Sequence, residues 1–221
     1  MLVGPYFQHN DDCPNYVQSS IDKFLKFQID DVNWKGNVQW LNAIKLMDEK
    51  VEKLILLEVH AHEGLIARVC QESLNNDDQF MIGNSMPIRD VDAYTNSNEI
   101  KIKTHANRGA SGIDGVLSTA LGMSYRNKKN SLLLIGDLSF YHDMNGLLIS
   151  KHGINLTIVV INNEGGGIFS FLPISEMDEN KFEEYWTTNA GLDLTHVAAL
   201  HGCHHERVDG LVELEKSIQA S

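Results

Sequence analysis

Two short apolar runs, each followed at once by side chains that bind metals, most constrain how this chain can fold. The first run, residues 131–135, leads to Asp137, and the second, residues 156–161, leads to Asn163 and a glycine triplet. Both runs are rich in leucine, isoleucine and valine, which is typical of parallel strands buried on both faces. Because ligands of open parallel sheets lie beyond the carboxyl ends of the strands, Asp137 and Asn163 should meet at one edge. The pattern predicts an α/β fold with a doubly wound parallel sheet.

The residues at this predicted edge favour a hard cation and a diphosphate. Mg²⁺ prefers oxygen ligands and often combines one or two protein oxygens with substrate phosphates. A carboxylate from Asp137, an amide oxygen from Asn163 and a carbonyl near Gly165 supply such a set, and glycines let the backbone approach a ligand closely. Taken singly, Asp137 and Asn163 would be ordinary turn residues. Their separation of 26 positions, with a strand before each, favours a magnesium diphosphate site.

Composition argues against several classes of partner. The chain has 221 residues, enough for one substantial α/β domain with a helical extension. A formal charge of −12 opposes nonspecific binding to nucleic acid or anionic membranes. No apolar run approaches the ~20 residues of a membrane helix, and Cys13, Cys70 and Cys203 are too widely spaced for a disulfide framework. We therefore expect a cytoplasmic protein.

The sequence divides into two parts. Residues 1–60 form a polar, partly helical lead-in, and residues 61–221 form the domain that carries the predicted site. Apolar residues recurring every three or four positions predict an amphipathic helix from Val38 to about His60, with a strand at 54–59 as the weaker alternative. The other predicted elements are helices at 17–27, 63–74, 115–125 and 195–201, strands at 79–83, 100–104 and 205–208, one helix between the two apolar runs, a polar loop at 83–90 and an irregular connection at 168–184.

Two histidine-containing clusters suggest zinc as an alternative metal. His60 lies beside His62, and residues 201–205 include three histidines and a cysteine. Neither cluster has the spacing of a known closed zinc site, and the first falls at a predicted helix end, where histidine also suits the helix dipole. We therefore favour incidental roles for both. Ser139 also has an alternative role as N-cap of the following helix, which is compatible with phosphate contact.

Four segments, taken together and in order, resemble the thiamine diphosphate enzymes. They are Asn84–Asp92, Asn107–Gly115, Gly136–Gly146 and Asn162–Ser170. The magnesium motif of that family is Gly-Asp-Gly followed by Asn-Asn about two dozen residues later. Leu138 replaces the last glycine, and with this departure the segments are similar to the MenD branch of menaquinone biosynthesis. The resemblance is dense over residues 79–173.

This resemblance implies both a fold and a reaction. The chain would be the diphosphate-binding domain of a synthase that decarboxylates 2-oxoglutarate on thiamine diphosphate and adds the succinyl carbanion to isochorismate. The products would be 2-succinyl-5-enolpyruvyl-6-hydroxy-3-cyclohexene-1-carboxylate and CO2. In such enzymes the cofactor acts as the electron sink, while the protein supplies orientation and electrostatics.

The resemblance also assigns residues to the metal, the cofactor and the substrates. The Mg²⁺ ligands would be Asp137, Asn163 and the Gly165 carbonyl. The cofactor would be bound by Gly136, Leu138, Ser139, Ile113, Ile168 and Phe169, with Ile113 as the apolar wedge that bends it into its reactive shape. The substrates would be bound by Asn84, Ser85, Arg89 and Arg108, because guanidinium groups recognise carboxylates bidentately.

The chain departs from this family in what it lacks. Family members are much longer and activate the cofactor with a glutamate from an N-terminal pyrimidine-binding domain, of which we find no counterpart here. The catalytic residue is therefore expected in that missing domain, from the same or a neighbouring subunit of a homo-oligomer. The resemblance also implies that the domain is truncated at its C-terminus. We expect a chain that supplies half an active site and has negligible activity alone.

Two other functions remain open from the sequence. The first is a different thiamine diphosphate enzyme, such as an acetolactate-synthase-like decarboxylase. The second is a non-catalytic domain that retains only a diphosphate-binding site. Arg89 and Arg108 favour the synthase over the decarboxylase, because a small monocarboxylate does not require two guanidinium groups whereas dicarboxylates do.

Overall fold

The computed structural model describes residues 2–4, 16–31, 36–58, 60–96, 100–125, 127–189, 191 and 193–221. The chain forms two compact units, Met1–Glu58 and Val59–Ser221. The predicted absence of a disulfide at Cys13 concerns a residue outside these ranges. Among the described residues, no helix has the length and apolar character needed to cross a membrane.

The described residues of the first unit form two short parallel strands and two helices. They are β1 (Leu2–Gly4), β2 (Tyr16–Gln18), α1 (Ile21–Asp31) and α2 (Val38–Leu57). The helix predicted at 17–27 begins later because β2 pairs with β1 there. Helix α2 confirms the amphipathic helix, and its start is capped by Asn37, whose Oδ1 accepts from Trp40 N at 2.9 Å. Its apolar side chains are exposed, as Trp40 illustrates at 65%.

A four-stranded parallel sheet forms the centre of the second unit. Its strands are β3 (Gln79–Ile82), β4 (Lys103–Ala106), β5 (Ser131–Gly136) and β6 (Thr157–Ile161), in the order β4-β3-β5-β6. The chain moves outward from β3 to β4, returns to β5 on the other side of β3, and moves outward again to β6. The winding direction therefore changes between β3 and β5, and this is the position where open α/β sheets bind ligands.

Helices cover both faces of this sheet, as predicted for a doubly wound fold. They are α3 (Glu63–Glu72), α4 (Met86–Tyr94), α5 (Val116–Ser124), α6 (Asp137–Asp143), α7 (Glu179–Phe182), α8 (Leu194–His201) and α9 (Leu211–Ala220). Alternate side chains of β5 point to opposite faces. Leu133 packs in a core with Leu117 of α5, whereas Leu134 packs in a core with Ala67 of α3.

Several predicted boundaries were wrong. The polar loop at 83–90 contains the start of α4, with Pro87 in its first turn, where a missing N–H costs nothing. Strand β4 begins at Lys103 instead of residue 100, because Lys101 N donates to Asn76 Oδ1 at 2.8 Å in a turn and not to a neighbouring strand. The helix between the two apolar runs is α6 followed by a 3₁₀ helix, Met144–His152.

The C-terminal part differs most from the prediction. The irregular connection at 168–184 consists of short helices, which are the 3₁₀ segments Gly167–Phe171 and Pro173–Glu176, then α7 and a π-helical turn at Glu183–Thr187. The strand predicted at 205–208 is wrong, since residues 203–209 are irregular and pair with neither edge strand of the described sheet. Helix α9 was not predicted.

Candidate active site

Strands β5 and β6 deliver the predicted metal-binding residues to one place. Gly136 pairs with Ile161 in the parallel register, so Asp137 leaves β5 beside Asn162 as it leaves β6. The Oδ1 atom of Asp137 accepts from Leu138 N at 2.8 Å. The backbone N–H of Gly165 also faces this carboxylate. The structure thus brings Asp137 into contact with the loop that carries Asn163.

The Asp137 carboxyl lies in an environment that disfavours its own charge. Burial raises its pKa, the backbone N–H groups of Leu138 and Gly165 oppose that rise, and the nearby carboxylate of Glu63 adds to it. A cation at this edge would favour the charged carboxylate. The Asp137 carboxylate is therefore in a position where a bound cation would stabilise its negative charge.

The glycine triplet closes the β6 loop against the π-helical turn. Gly165 has φ +140°, and a Cβ on it would overlap the Thr187 carbonyl oxygen. Gly166 N donates to Thr187 O at 2.8 Å. The Gly165 carbonyl accepts from Gly167 N at 3.0 Å and retains a second lone pair. Only glycine fits at residue 165, and its carbonyl stays available as an oxygen ligand.

A second set of predicted residues is joined by hydrogen bonds around Asn84. This side chain is only 2% exposed, donates from Nδ2 to Gly112 O at 2.6 Å, and accepts at Oδ1 from Arg108 Nη1 at 3.0 Å. Ser139 Oγ donates to Ile113 O at 2.5 Å. The prediction that Ser139 caps α6 is wrong, because the helix begins at Asp137 with Gly136 as its N-cap. The Ser139 hydroxyl instead ties the Ile113 loop to α6.

The remaining predicted residues lie on helical segments next to this edge. Arg89 of α4 lines the same cleft as Asp137 and Asn163, and its Nη1 donates to Ser85 O at 2.5 Å. Ser85 itself adopts φ +73°. Ile168 and Phe169 are half-buried on a 3₁₀ helix, and the Phe169 ring contacts Trp186 edge-on at 5.2 Å between centroids.

Sequence reasoning missed two acidic residues in this cleft, Glu63 and Asp90. Asn163 Nδ2 donates to Glu63 Oε1 at 2.6 Å. Asp90 is 5% exposed, and its Oδ2 is buried without a hydrogen-bond partner among the described residues. One signal was available for Glu63: a helix that precedes a strand by a short connection runs antiparallel to it, so the start of α3 belongs at the carboxyl edge of the sheet.

Comparison with known proteins agrees with this geometry. The sequence profile of the family described as "Thiamine pyrophosphate enzyme, C-terminal TPP binding domain" matches residues 90–221. The chain belongs to this family of thiamine pyrophosphate enzymes. The matched range begins at Asp90 and includes β4, β5, β6 and every loop around Asp137 and Asn163. The match therefore covers three of the four strands of the described sheet, and the family is one whose domain binds thiamine pyrophosphate.

The chain is similar to part of several synthases of one kind. The protein named 2-succinyl-5-enolpyruvyl-6-hydroxy-3-cyclohexene-1-carboxylate synthase is 45% identical in Bacillus velezensis over 74% of this chain and 29% of the relative. The synthase of that name in Bacillus cytotoxicus is 42% identical over 92% of this chain and 35% of the relative. The synthase of that name in Staphylococcus aureus is 41% identical over 90% of this chain and 35% of the relative. The chain thus spans about a third of the length of these synthases.

Solved structures share the fold at low sequence identity. A thiamine diphosphate-dependent 4-hydroxybenzoylformate decarboxylase from Rhodococcus jostii superposes with a TM-score of 0.57 and 18% identity, covering 74% of this chain and 31% of the other. Benzoylformate decarboxylase from Polynucleobacter necessarius superposes with a TM-score of 0.51 and 19% identity, covering 70% of this chain and 29% of the other. These likenesses support the family fold.

Asp90 makes the stability of this thiamine pyrophosphate enzyme domain depend on pH. Burial raises the pKa of its carboxyl from 3.8 to about 6, the nearby Glu63 adds to the rise, and His62 and Arg89 oppose it. Because the folded state holds the proton more tightly, stability is highest below pH 4 for this group and falls as pH rises to about 6. We expect Asp90→Asn to raise the free energy of unfolding by about 1–3 kcal/mol above pH 6 and to have little effect near pH 4.

Urea unfolding followed by circular dichroism from pH 4 to pH 8 measures this difference. Asp92→Asn is the matched control, since Asp92 lies exposed on the same helix, and it should change stability by less than about 0.5 kcal/mol at every pH. A gain from Asp90→Asn that is the same at pH 4 and pH 8 would contradict the assignment of the pH dependence to Asp90.

Proposed function

We propose that this chain is the diphosphate-binding part of a thiamine diphosphate-dependent synthase, with Mg²⁺ bound at the ends of β5 and β6. The observation that carries the proposal is the contact of the half-buried Asp137 carboxylate with the Gly165 loop, beside Asn163. Asp137 retains carboxylate lone pairs beyond those that accept from Leu138 and Gly165, Asn163 retains its amide oxygen and Gly165 retains a carbonyl lone pair. Three oxygens on adjacent loops fit a hard cation that completes its shell with water and phosphate oxygens.

In this proposal the chain's own residues bind and orient, and the bound cofactor supplies the electron sink for decarboxylation. Backbone groups at Gly136 and Leu138, with Ser139, would hold the diphosphate. Ile113, fixed through its carbonyl by Ser139, would form the apolar wedge under the cofactor. Ile168 and Phe169 would line the apolar side of the pocket, with Phe169 held by its contact with Trp186.

The proposed substrates are 2-oxoglutarate and isochorismate. The similarity to several synthases of the same name supports this choice. The two arginines also support it, because Arg89 lines the cleft and Arg108 donates a hydrogen bond to the buried Asn84. Asn84 and Ser85 would complete the substrate-binding set beside the two guanidinium groups. A decarboxylase of monocarboxylates would leave one of these arginines without an anionic partner, which disfavours it.

The whole reaction would require more than this chain. We infer that the group that activates the cofactor comes from a pyrimidine-binding domain, and that the site forms in a cytoplasmic homo-oligomer. The described residues of this chain then supply the metal, diphosphate and part of the substrate site. We expect the 221-residue chain alone to show negligible turnover of 2-oxoglutarate and isochorismate.

Calorimetric titration of the 221-residue chain with thiamine diphosphate tests the proposal. With millimolar Mg²⁺ we expect binding that weakens at least about tenfold when the metal is removed with EDTA, because the cation would offset the repulsion between the Asp137 carboxylate and the diphosphate. Thiamine, which shares the rings but lacks the diphosphate, should not bind measurably. Equal binding with and without Mg²⁺, or no binding of thiamine diphosphate at all, would contradict the proposed function.

A further inference from the structure

The contact between Glu63 and Asn163 joins residues 100 positions apart. Asn163 Nδ2 donates to Glu63 Oε1 at 2.6 Å, and both side chains line the cleft at the carboxyl edge of the sheet. Glu63 is the first residue of α3, whereas Asn163 follows β6. The bond therefore connects the start of a helix before the sheet with the loop proposed to bind the metal.

The chemistry of this bond fixes the orientation of the amide. A carboxylate only accepts hydrogen bonds, whereas an asparagine side chain has a donor face and an acceptor face. With Nδ2 toward Glu63, the oxygen Oδ1 of Asn163 must point the opposite way. A flipped amide would place two acceptors against each other beside Glu63, which is unfavourable for a charged group. Glu63 thus determines which atom of Asn163 is free to bind a cation.

Each partner of this bond has a further neighbour close by, although the Asn163 side chain is exposed. Helix α3 is held at its start because His62 Nδ1 accepts from Gly64 N at 3.2 Å and the His62 ring contacts Tyr94 edge-on at 5.1 Å. On the other side, a Cβ on Gly167 would lie 3.0 Å from Asn163 Nδ2. The amide therefore occupies a space bounded by the Glu63 carboxylate and the glycine backbone.

We propose that Glu63 is a positioning residue, which orients the Asn163 amide so that its oxygen faces the metal. This inference rests on the proposed function, since it requires Asn163 to be a ligand. Partners that orient metal ligands typically contribute 10–100-fold to metal affinity. Glu63 acts through Asn163, and it contributes by selecting one of the two amide orientations before the cation arrives.

A purely electrostatic role for Glu63 gives a different result on substitution. Its carboxylate lies near Asp90 and Asp137, so it also adds negative charge to the cleft. Glu63→Gln removes this charge but keeps an oxygen that accepts from Asn163 Nδ2. Glu63→Ala removes both. If Glu63 acts by orienting the Asn163 amide, Glu63→Gln should bind the metal almost as well as the wild-type chain. If Glu63 acts only through its charge, Glu63→Gln should bind the metal as weakly as Glu63→Ala.

The test is the Mg²⁺ concentration needed for half-maximal binding of thiamine diphosphate to the 221-residue chain. We expect Glu63→Ala to raise this concentration about 10–100-fold and Glu63→Gln to raise it by less than about threefold. Glu213→Ala is the matched control, because Glu213 also lies in the first turn of a helix and is exposed. Gly167→Ala, whose Cβ crowds Nδ2, should also raise the concentration.

The outcomes separate this inference from the proposed function. If Glu63→Ala matches the wild-type chain while binding still requires Mg²⁺, the positioning role is wrong and the proposed function stands. If Glu63→Gln and Glu63→Ala weaken Mg²⁺ equally, Glu63 acts through its charge and the positioning role is again wrong. If the wild-type chain binds no thiamine diphosphate, both fail. Circular dichroism of each variant checks that it folds. If Glu63→Ala does not fold, Gly167→Ala provides an independent test of whether the position of the Asn163 amide affects Mg²⁺ binding.

Discussion

Asp137→Ala is expected to abolish Mg²⁺-dependent binding of thiamine diphosphate to the 221-residue chain. The carboxylate is the only charged group among the three proposed ligands, and it leaves β5 directly beside the loop of Asn163. Changing a residue that merely orients a ligand costs 10–100-fold in metal affinity, so removal of this ligand should cost more than about 100-fold. Calorimetry at fixed millimolar Mg²⁺ measures the loss.

Two variants make this result specific. Asp137→Asn keeps the shape and one oxygen but removes the charge, so we expect intermediate binding at high Mg²⁺. Asp48→Ala removes an exposed aspartate from α2 and should bind like the wild-type chain. The protein should remain folded, since the Asp137 side chain is only half-buried, and circular dichroism checks this. Wild-type affinity in Asp137→Ala would rule out Asp137 as a metal ligand.

The strands at the site were predictable because both are continuous apolar runs of strand length, at residues 131–135 and 156–161, which is typical of parallel strands. Burial on both faces is confirmed for β5 only, since β6 is an edge strand of the described sheet and is mostly half-buried. Helix α2 was equally predictable from its period. The apolar pattern along the chain therefore predicted these two strands and α2. The rule that ligands bind at the carboxyl edge of a parallel sheet then indicated the position of the candidate site.

Elements whose formation depends on distant partners were not predictable. The segment at 205–208 has the composition of a strand, but a strand requires a neighbour to accept its hydrogen bonds, and the sequence does not reveal that none of the described strands provides one. The start of α4 lies in a polar run that contains a proline, which is typical of a loop. Only the tertiary structure shows that Asp90 in this run is buried.

The acidic residues of the cleft were missed for the same reason. Glu63 meets Asn163 across 100 positions, and no local spacing connects a helix start to a loop so far along the chain. Asp90 falls at the end of the polar loop predicted at 83–90, yet it is 5% exposed, and its Oδ2 has no hydrogen-bond partner among the described residues. Burial and pairing are tertiary facts, so the sequence indicates candidate ligands but does not reveal that Glu63 and Asp90 line the same cleft.

Gly165→Ala is the second substitution with a large expected effect, because it combines two independent costs. Residue 165 adopts φ +140°, which L side chains rarely adopt, and the added Cβ would overlap the Thr187 carbonyl oxygen. That oxygen accepts from Gly166 N and cannot move away without breaking this bond. We expect a loss of about 2–4 kcal/mol in the free energy of unfolding.

The same change should also remove Mg²⁺-dependent cofactor binding, because it displaces the loop that carries Asn163 and the proposed carbonyl ligand. Gly153→Ala separates the two costs: Gly153 has φ +65°, but an added Cβ would meet nothing within 4 Å, so this variant should lose only about 1 kcal/mol and bind the cofactor normally. Thermal unfolding and calorimetry on both variants provide the comparison. Wild-type binding by a folded Gly165→Ala chain would show that closure of this loop against Thr187 is not required for the metal site.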